Sequence, residues 1–373
     1  MSRKNRTVIP DAVYHVSSTT VAGLPLIADS TLKSRIVDVL FGVADFSGVE
    51  VLSWTILDDR LDVFLHVPSV PASLRTSSDN LHATSSIPAS HVFSMRPPEC
   101  TVPRWSDPDQ PEEVTEGDSP RKNRPDTGFS LTDEQMLERL RRLYCGTDRA
   151  DGVAKRWRRW RERGLDGQVE AEKERYCRRM YNPTQFVKSL KERVVRLYRE
   201  NHVQTGHFWS DRFRSSIIEA SPAVLQNVVA ECDYRVVRRG CVHNPSDYRW
   251  SSLFQATHGG AFRDRCRCGY ERIYSCGWGR AKGLMARIFK DARNKEQSEH
   301  QASSSSASRR SRISQALSRD VMVFVRCEFV GVSDAFIARV QSFVPAGFPG
   351  RSVRRDVLLC RSFIWMPPAD LAA

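Results

Sequence analysis

The chain has 373 residues, 40% of them hydrophobic and 27% charged, a globular composition with enough apolar side chain for a sizeable core. Its 57 Lys and Arg against 44 Asp and Glu leave a net charge of +13, which favours an anionic partner such as nucleic acid. No stretch approaches the ~18 apolar residues of a membrane span, and the start Met1-Ser2-Arg3-Lys4 leads into no apolar signal region. Ten cysteines are too dilute for a disulfide scaffold, so a cytoplasmic protein with reduced thiols is expected.

Residues 8–68 read as the first part of an α+β domain. Val13 to Thr20 has strand composition; Leu32, Ile36, Val39, Leu40 and Val43 then recur at helical spacing behind Ser30 or Thr31 as cap. Gly48 ends that helix, Val49 to Leu57 reads as a buried strand, Asp58-Asp59 as a turn, and Arg60 to Val67 as a strand stopped by Pro68. Residues 69–129 are rich in Pro, Ser and acid and bury too little apolar surface to offset ordering, so a disordered insertion is expected there.

A basic helical insert follows over 130–181, opened by the capping-box spacing of Thr132 and Gln135, with Met136, Leu137, Leu140 and Leu143 on its apolar side. Within it, Trp157 and Trp160 stand three apart among arginines, as a stacking platform, a protein-docking helix or a solvated amphipathic one. Residues 182–258 form the second part of the domain: a helix from Pro183 to Asn201, a strand over Ser215 to Glu219, and a helix begun by Ser221-Pro222 that buries Leu225, Val228, Val229 and Cys232. Residues 259–320 read as a weakly structured linker and 321–373 as a small segment of unknown role. Cys266, Cys268 and Cys276 have only His258 as a conceivable fourth ligand, so free thiols are expected rather than zinc.

Three passages, taken in order, carry a family resemblance: Val13-Tyr14-His15-Val16-Ser17-Ser18; Trp54 to Pro68; and Phe186 to Lys191 running through Gly206-His207-Phe208-Trp209-Ser210-Asp211-Arg212-Phe213 to Asp247-Tyr248-Arg249-Trp250-Ser251-Ser252. Together they resemble the one-tyrosine HUH transposases, above all the REP-associated tyrosine transposases. The resemblance implies a ferredoxin-like antiparallel sheet with helices on one face and single-stranded hairpin DNA as substrate in DNA transposition. It also implies a divalent cation on a histidine-hydrophobic-histidine strand and a tyrosine that attacks the phosphodiester.

The matching positions depart from that pattern. The two histidines fall on Arg60 and Asp62, the tyrosine on Glu231, and the metal-assisting polar residue on Arg235. Arginine offers five donors and no lone pair to a cation, and glutamate does not replace a phenolate nucleophile. Since Arg60, Asp62, Phe64 and His66 alternate with aliphatic residues, they share one strand face; ion pairs Glu231–Arg60 and Asp62–Arg235 are expected to replace the metal, or Arg60 to grip a phosphate. Two rescues of activity are Tyr234 as a displaced nucleophile and Asp62 with His66 as metal ligands; the plainer readings are a packing tyrosine and a surface histidine. No cofactor is expected, with Mg or Mn entering only if the site is active.

Candidate DNA contacts are Lys188, Lys191 and Arg193 on one helix, Arg212 and Arg214 beside Trp209 and Phe213, and Arg238 and Arg239 at the next helix end. The plain alternative makes the aromatics core, the charges a solvated face, and the terminal arginines partners of the helix dipole. His15 reads as a structural histidine of the first strand. The expectation is a monomeric or homodimeric protein that binds single-stranded or hairpin DNA and is deficient in cleavage. An active transposase with a relocated site, and a non-enzymatic interaction protein or relic, are the alternatives.

Overall fold

The computed structural model describes residues 8–75, 128–144, 147–202, 206–210, 213–303, 329–331 and 333–343. Most of the insertion expected to be disordered lies outside them, as does Arg212. The first strand, β1 (Ala12–Thr19), leads to helix α1 (Ser30–Ser47), and the hairpin β2 (Glu50–Leu57) and β3 (Arg60–Val67) follows. Asp29, one residue earlier than expected, caps α1 by accepting the Leu32 amide at 2.6 Å. Gly48 takes the left-handed conformation that ends the helix, with the Tyr181 ring packed where a Cβ would stand.

The insert contributes α2 (Asp133–Leu143), α3 (Arg149–Glu162) and α4 (Asp166–Cys177). The Thr132–Gln135 capping box is present, and α2 packs against α1. Next come α5 (Pro183–Asn201), which also packs on α1, then β4 (Arg214–Ile218) and α6 (Pro222–Arg238). The sheet order is β2-β3-β1-β4-β5, antiparallel through β4. A βαββαβ chain whose first four strands lie in the order 2-3-1-4 is the ferredoxin-like arrangement, and the class is α+β.

Both faces of β1, β2 and β3 are buried along nearly their whole length, so cover extends to the aliphatic face as well as to the polar one. On the polar face sit α6, α7 (Ser252–His258) and α8 (Arg263–Tyr274), shown by contacts of Arg235 with Asp62, Ser252 with Ser53, and Arg272 with Glu50.

Residues 259–303 depart from the weakly structured linker expected for them. They form α8 and α9 (Trp278–Ser303), whose Cys266, Tyr270, Ile273, Tyr274, Ala281, Met285 and Phe289 enter the core. Gly269 lets α8 lie directly on β2, because a Cβ there would strike the Leu52 carbonyl. The C-terminal segment supplies β5 (Phe329–Val330), parallel to β4, and α10 (Asp334–Phe343), whose Arg339 donates to the Pro10 and Asp11 carbonyls. No described helix is long and apolar enough to cross a membrane.

Candidate functional site at the strand–helix junction

Period-two alternation in β3 puts Arg60, Asp62, Phe64 and His66 on one face, and the pairing register adds His15 and Ser17 of β1. Onto this face α6 lowers Cys232 and Arg235, three residues apart and therefore on one side of the helix. Asp62 is the hub. Its Oδ2 accepts from Arg60 Nε at 2.7 Å and Arg235 Nη1 at 2.6 Å, and its Oδ1 lies 3.1 Å from His15 Nε2. A carboxylate only accepts, so Nε2 carries the hydrogen and donates. The His15 ring stacks on Phe64 at 4.6 Å, and Cys232 Sγ is 3.9 Å from His15 Nε2 and 3.7 Å from Arg235 Nη2.

Electrostatics fix the charge state of this cluster. Burial alone would raise the Asp62 carboxyl, but Arg60, Arg235 and the His15 hydrogen bond hold it well below the ordinary carboxylate value. Burial keeps His15 below its usual value against the pull of Asp62, so the imidazole is neutral near pH 7. Burial likewise pushes the Cys232 thiol up to about 12, leaving no thiolate. Two guanidiniums thus face one carboxylate. Arg60 Nη2 and Arg235 Nε are buried with no hydrogen-bond partner.

This donor set does not fit a divalent cation. Both Asp62 oxygens are engaged, and the two nearest groups are cations without lone pairs. His66 lies elsewhere in the charge pattern and is buried rather than a surface residue: Nδ1 is 2.8 Å from Glu50, Nε2 is 2.8 Å from Asp11, and Arg272 pairs with Glu50. Among the described residues no group of three His, Cys, Asp or Glu side chains is arranged to hold a metal ion. Cys266 is buried in α8 while Cys268 on the same helix is exposed.

No protein-family model, curated protein or solved structure matches the chain.

Of the two ion pairs expected from the sequence, Asp62–Arg235 forms and Glu231–Arg60 does not. Glu231 lies at the edge of α6 and pairs with Arg238, seven residues on, whereas Arg60 is taken by its strand neighbour Asp62. Tyr234 is buried, its ring stacked on Phe289 at 6.0 Å with Arg238 above it at 5.5 Å, which places it in the core rather than at a reacting phosphate. Trp157 is no stacking platform, being buried with Nε1–H donated to Glu172 at 2.7 Å. Trp160 is half-buried under Arg156.

The basic candidates are spread over three elements. On α5, Lys188 is exposed near Glu192, Lys191 stands over the Trp209 ring at 5.2 Å, and Arg193 over Tyr144 at 5.1 Å. Arg214 is exposed at the start of β4, and Arg239 pairs with Asp59. Phe213 is buried in the core, as the plainer reading has it, whereas Trp209 is half-buried against it.

Sequence reasoning missed His15 and Cys232 as members of the cluster. It also missed a buried polar network in which Tyr270 Oη–H donates to Asp233 at 2.9 Å and meets Ser252 at 3.0 Å, with Ser252 bonded to Ser53. Burial raises the Asp233 carboxyl to about 7 despite the Tyr270 hydrogen bond. Cys232 and Arg235 were detectable as an i, i+3 pair on the buried stripe of α6.

Proposed function

We propose that the protein is a transposase-derived DNA-binding protein that recognises single-stranded or hairpin DNA and does not cut it. One observation carries the reading. The strand and helix positions where the resemblance puts a metal-binding pair and its assisting residue meet in space, and they are closed by Asp62 with Arg60 and Arg235. The framework is retained while the chemistry is replaced: two arginines without lone pairs engage the one carboxylate, position 231 carries no phenol, and Tyr234 is packed in the core. The net charge of +13 supplies the long-range attraction for a polyanion.

The test is binding of labelled hairpin, unstructured single strand and duplex of equal length across a salt titration, with a parallel search for covalent adducts in Mg or Mn. Hairpin preference that survives moderate salt, without an adduct, is the expected result. Absence of binding to any folded single strand at moderate salt would refute the reading. A covalent adduct abolished by Tyr234→Phe would establish an active enzyme instead.

A further inference from the structure

Helix α9 carries charge that neither the strand–helix cluster nor the resemblance accounts for. Its inner stripe of Ala281, Met285 and Phe289 is seated in the core, with Leu284, Ile288 and Ala292 half-buried beside it. On the outer arc Arg280, Lys282, Arg287 and Lys290 are exposed, and none of the four pairs with a carboxylate among the described residues. Elsewhere exposed cations of this protein are neutralised, Arg239 by Asp59, Arg265 by Asp45 and Arg272 by Glu50. From Trp278 to Asn294 the helix holds a single acid, Asp291, and Arg293, also exposed, donates to the His243 carbonyl.

The spacing suits a phosphate backbone. At about 1.5 Å per residue the four cations cover about 15 Å of helix, and one strand of a duplex presents a phosphate about every 3.4 Å of axis. No large apolar side chain is exposed among them; Gly283 and Ala286 occupy the intervening exposed positions. The face therefore lacks both the apolar wedge of a helix lying in a membrane surface and the aromatic anchors of a protein interface.

We propose that the outer face of α9 binds the sugar–phosphate backbone of nucleic acid, as a surface separate from the strand–helix cluster and requiring no hairpin or base recognition. The experiment compares full-length protein with its Arg280→Gln/Lys282→Gln/Arg287→Gln/Lys290→Gln variant by fluorescence anisotropy on labelled duplex and single-stranded DNA over a salt series. The slope of log K against log salt should become shallower by about 3 to 4 on duplex, at about 0.9 per lost phosphate contact, and by somewhat less on single strands. A matched four-charge variant at α3, Lys155→Gln/Arg158→Gln/Arg159→Gln/Arg163→Gln, should leave the slope nearly unchanged, and Arg280→Lys/Arg287→Lys should retain the wild-type slope.

An unchanged slope in the α9 variant overturns the proposal, as does an equal loss in the α3 variant, which would reduce the effect to net charge. A larger loss of binding to phosphatidylserine vesicles or to polyglutamate than to DNA overturns it in favour of those partners. Failure here is distinguishable from failure of the hairpin reading. Hairpin preference without an α9 effect removes only this surface, an α9 effect without hairpin preference removes only that reading, and no nucleic-acid binding removes both.

Discussion

Asp62→Asn is the sharpest test of the ion-pair cluster. The side chain is almost wholly buried and neutralises two guanidiniums at 2.6 and 2.7 Å while accepting from His15. Each unit charge pair at about 4 Å contributes about 4 kcal/mol at an effective dielectric near 20, before the cost of desolvation. Asparagine keeps the shape and removes the charge, which leaves Arg60 and Arg235 as uncompensated cations between β3 and α6. Breaking a buried pair this way costs about 3–5 kcal/mol, and for a domain of this size the melting temperature falls on the order of 10 °C.

The assay is thermal and urea unfolding followed by circular dichroism at neutral pH, repeated down an acid series. Because the folded carboxyl lies well below 3.8, its contribution is complete above that value and is lost as pH falls through the folded value. The gap between wild type and variant should therefore narrow in strong acid. A loss below about 1 kcal/mol at pH 7, or a gap independent of pH, would show that Asp62 does not hold these elements together.

Asp233→Asn should flatten a second pH dependence of opposite sign. The folded carboxyl is raised from 3.8 to about 7, so its stabilisation is complete below about 4 and is lost as pH rises to about 7; the variant should gain up to ~4 kcal/mol on wild type at pH 8, read from urea midpoints. Gly269→Ala should destabilise by about 1–3 kcal/mol, since the new methyl meets the Leu52 carbonyl of β2. Gly283→Ala on α9 meets nothing and should stabilise by up to about 1 kcal/mol, so thermal unfolding of the two variants separates helix propensity from packing.

Those elements whose signals are local were legible in the sequence. The alternation of Arg60 to Val67, the turn at Asp58-Asp59 and the Thr132 capping box each lie within one element, and each appears where expected. Helix α8 was not legible because Arg263, Asp264, Arg265, Arg267, Glu271 and Arg272 dilute its apolar stripe and Gly269 weakens its helix propensity. The stripe was nevertheless there, Cys266, Tyr270, Ile273 and Tyr274 recurring at i, i+4, i+7 and i+8. Gly269 is informative only with β2 in place, since the close approach that requires it is tertiary. The partner of Glu231 was misassigned for a related reason. Residue types show which groups can pair, but proximity along β3 gave Arg60 to Asp62, and the helical repeat gave Glu231 to Arg238.

Whether the arginines of the cluster serve only its internal pairing or, on the proposed DNA-binding reading, also a ligand is decided by replacing the buried charges at once. His15→Leu/Arg60→Leu/Asp62→Leu/Arg235→Met removes the pairs, the His15 donor that would otherwise lose its acceptor, and the two buried nitrogens that have no partner, each of which costs about 1–3 kcal/mol where it stands. Exchange of a buried ion group for apolar residues of similar volume is commonly neutral or stabilising by about 1–4 kcal/mol, so the variant should fold at least as firmly as wild type even though Asp62→Asn does not. Its hairpin affinity then separates the two roles. On the proposed DNA-binding reading, full retention means that the cluster is internal packing, and loss of hairpin preference in a fully folded variant means that the cluster shapes the DNA contact. A multiple variant less stable than Asp62→Asn would contradict the expected gain from apolar replacement, because it would make the ion pairs themselves a net source of stability.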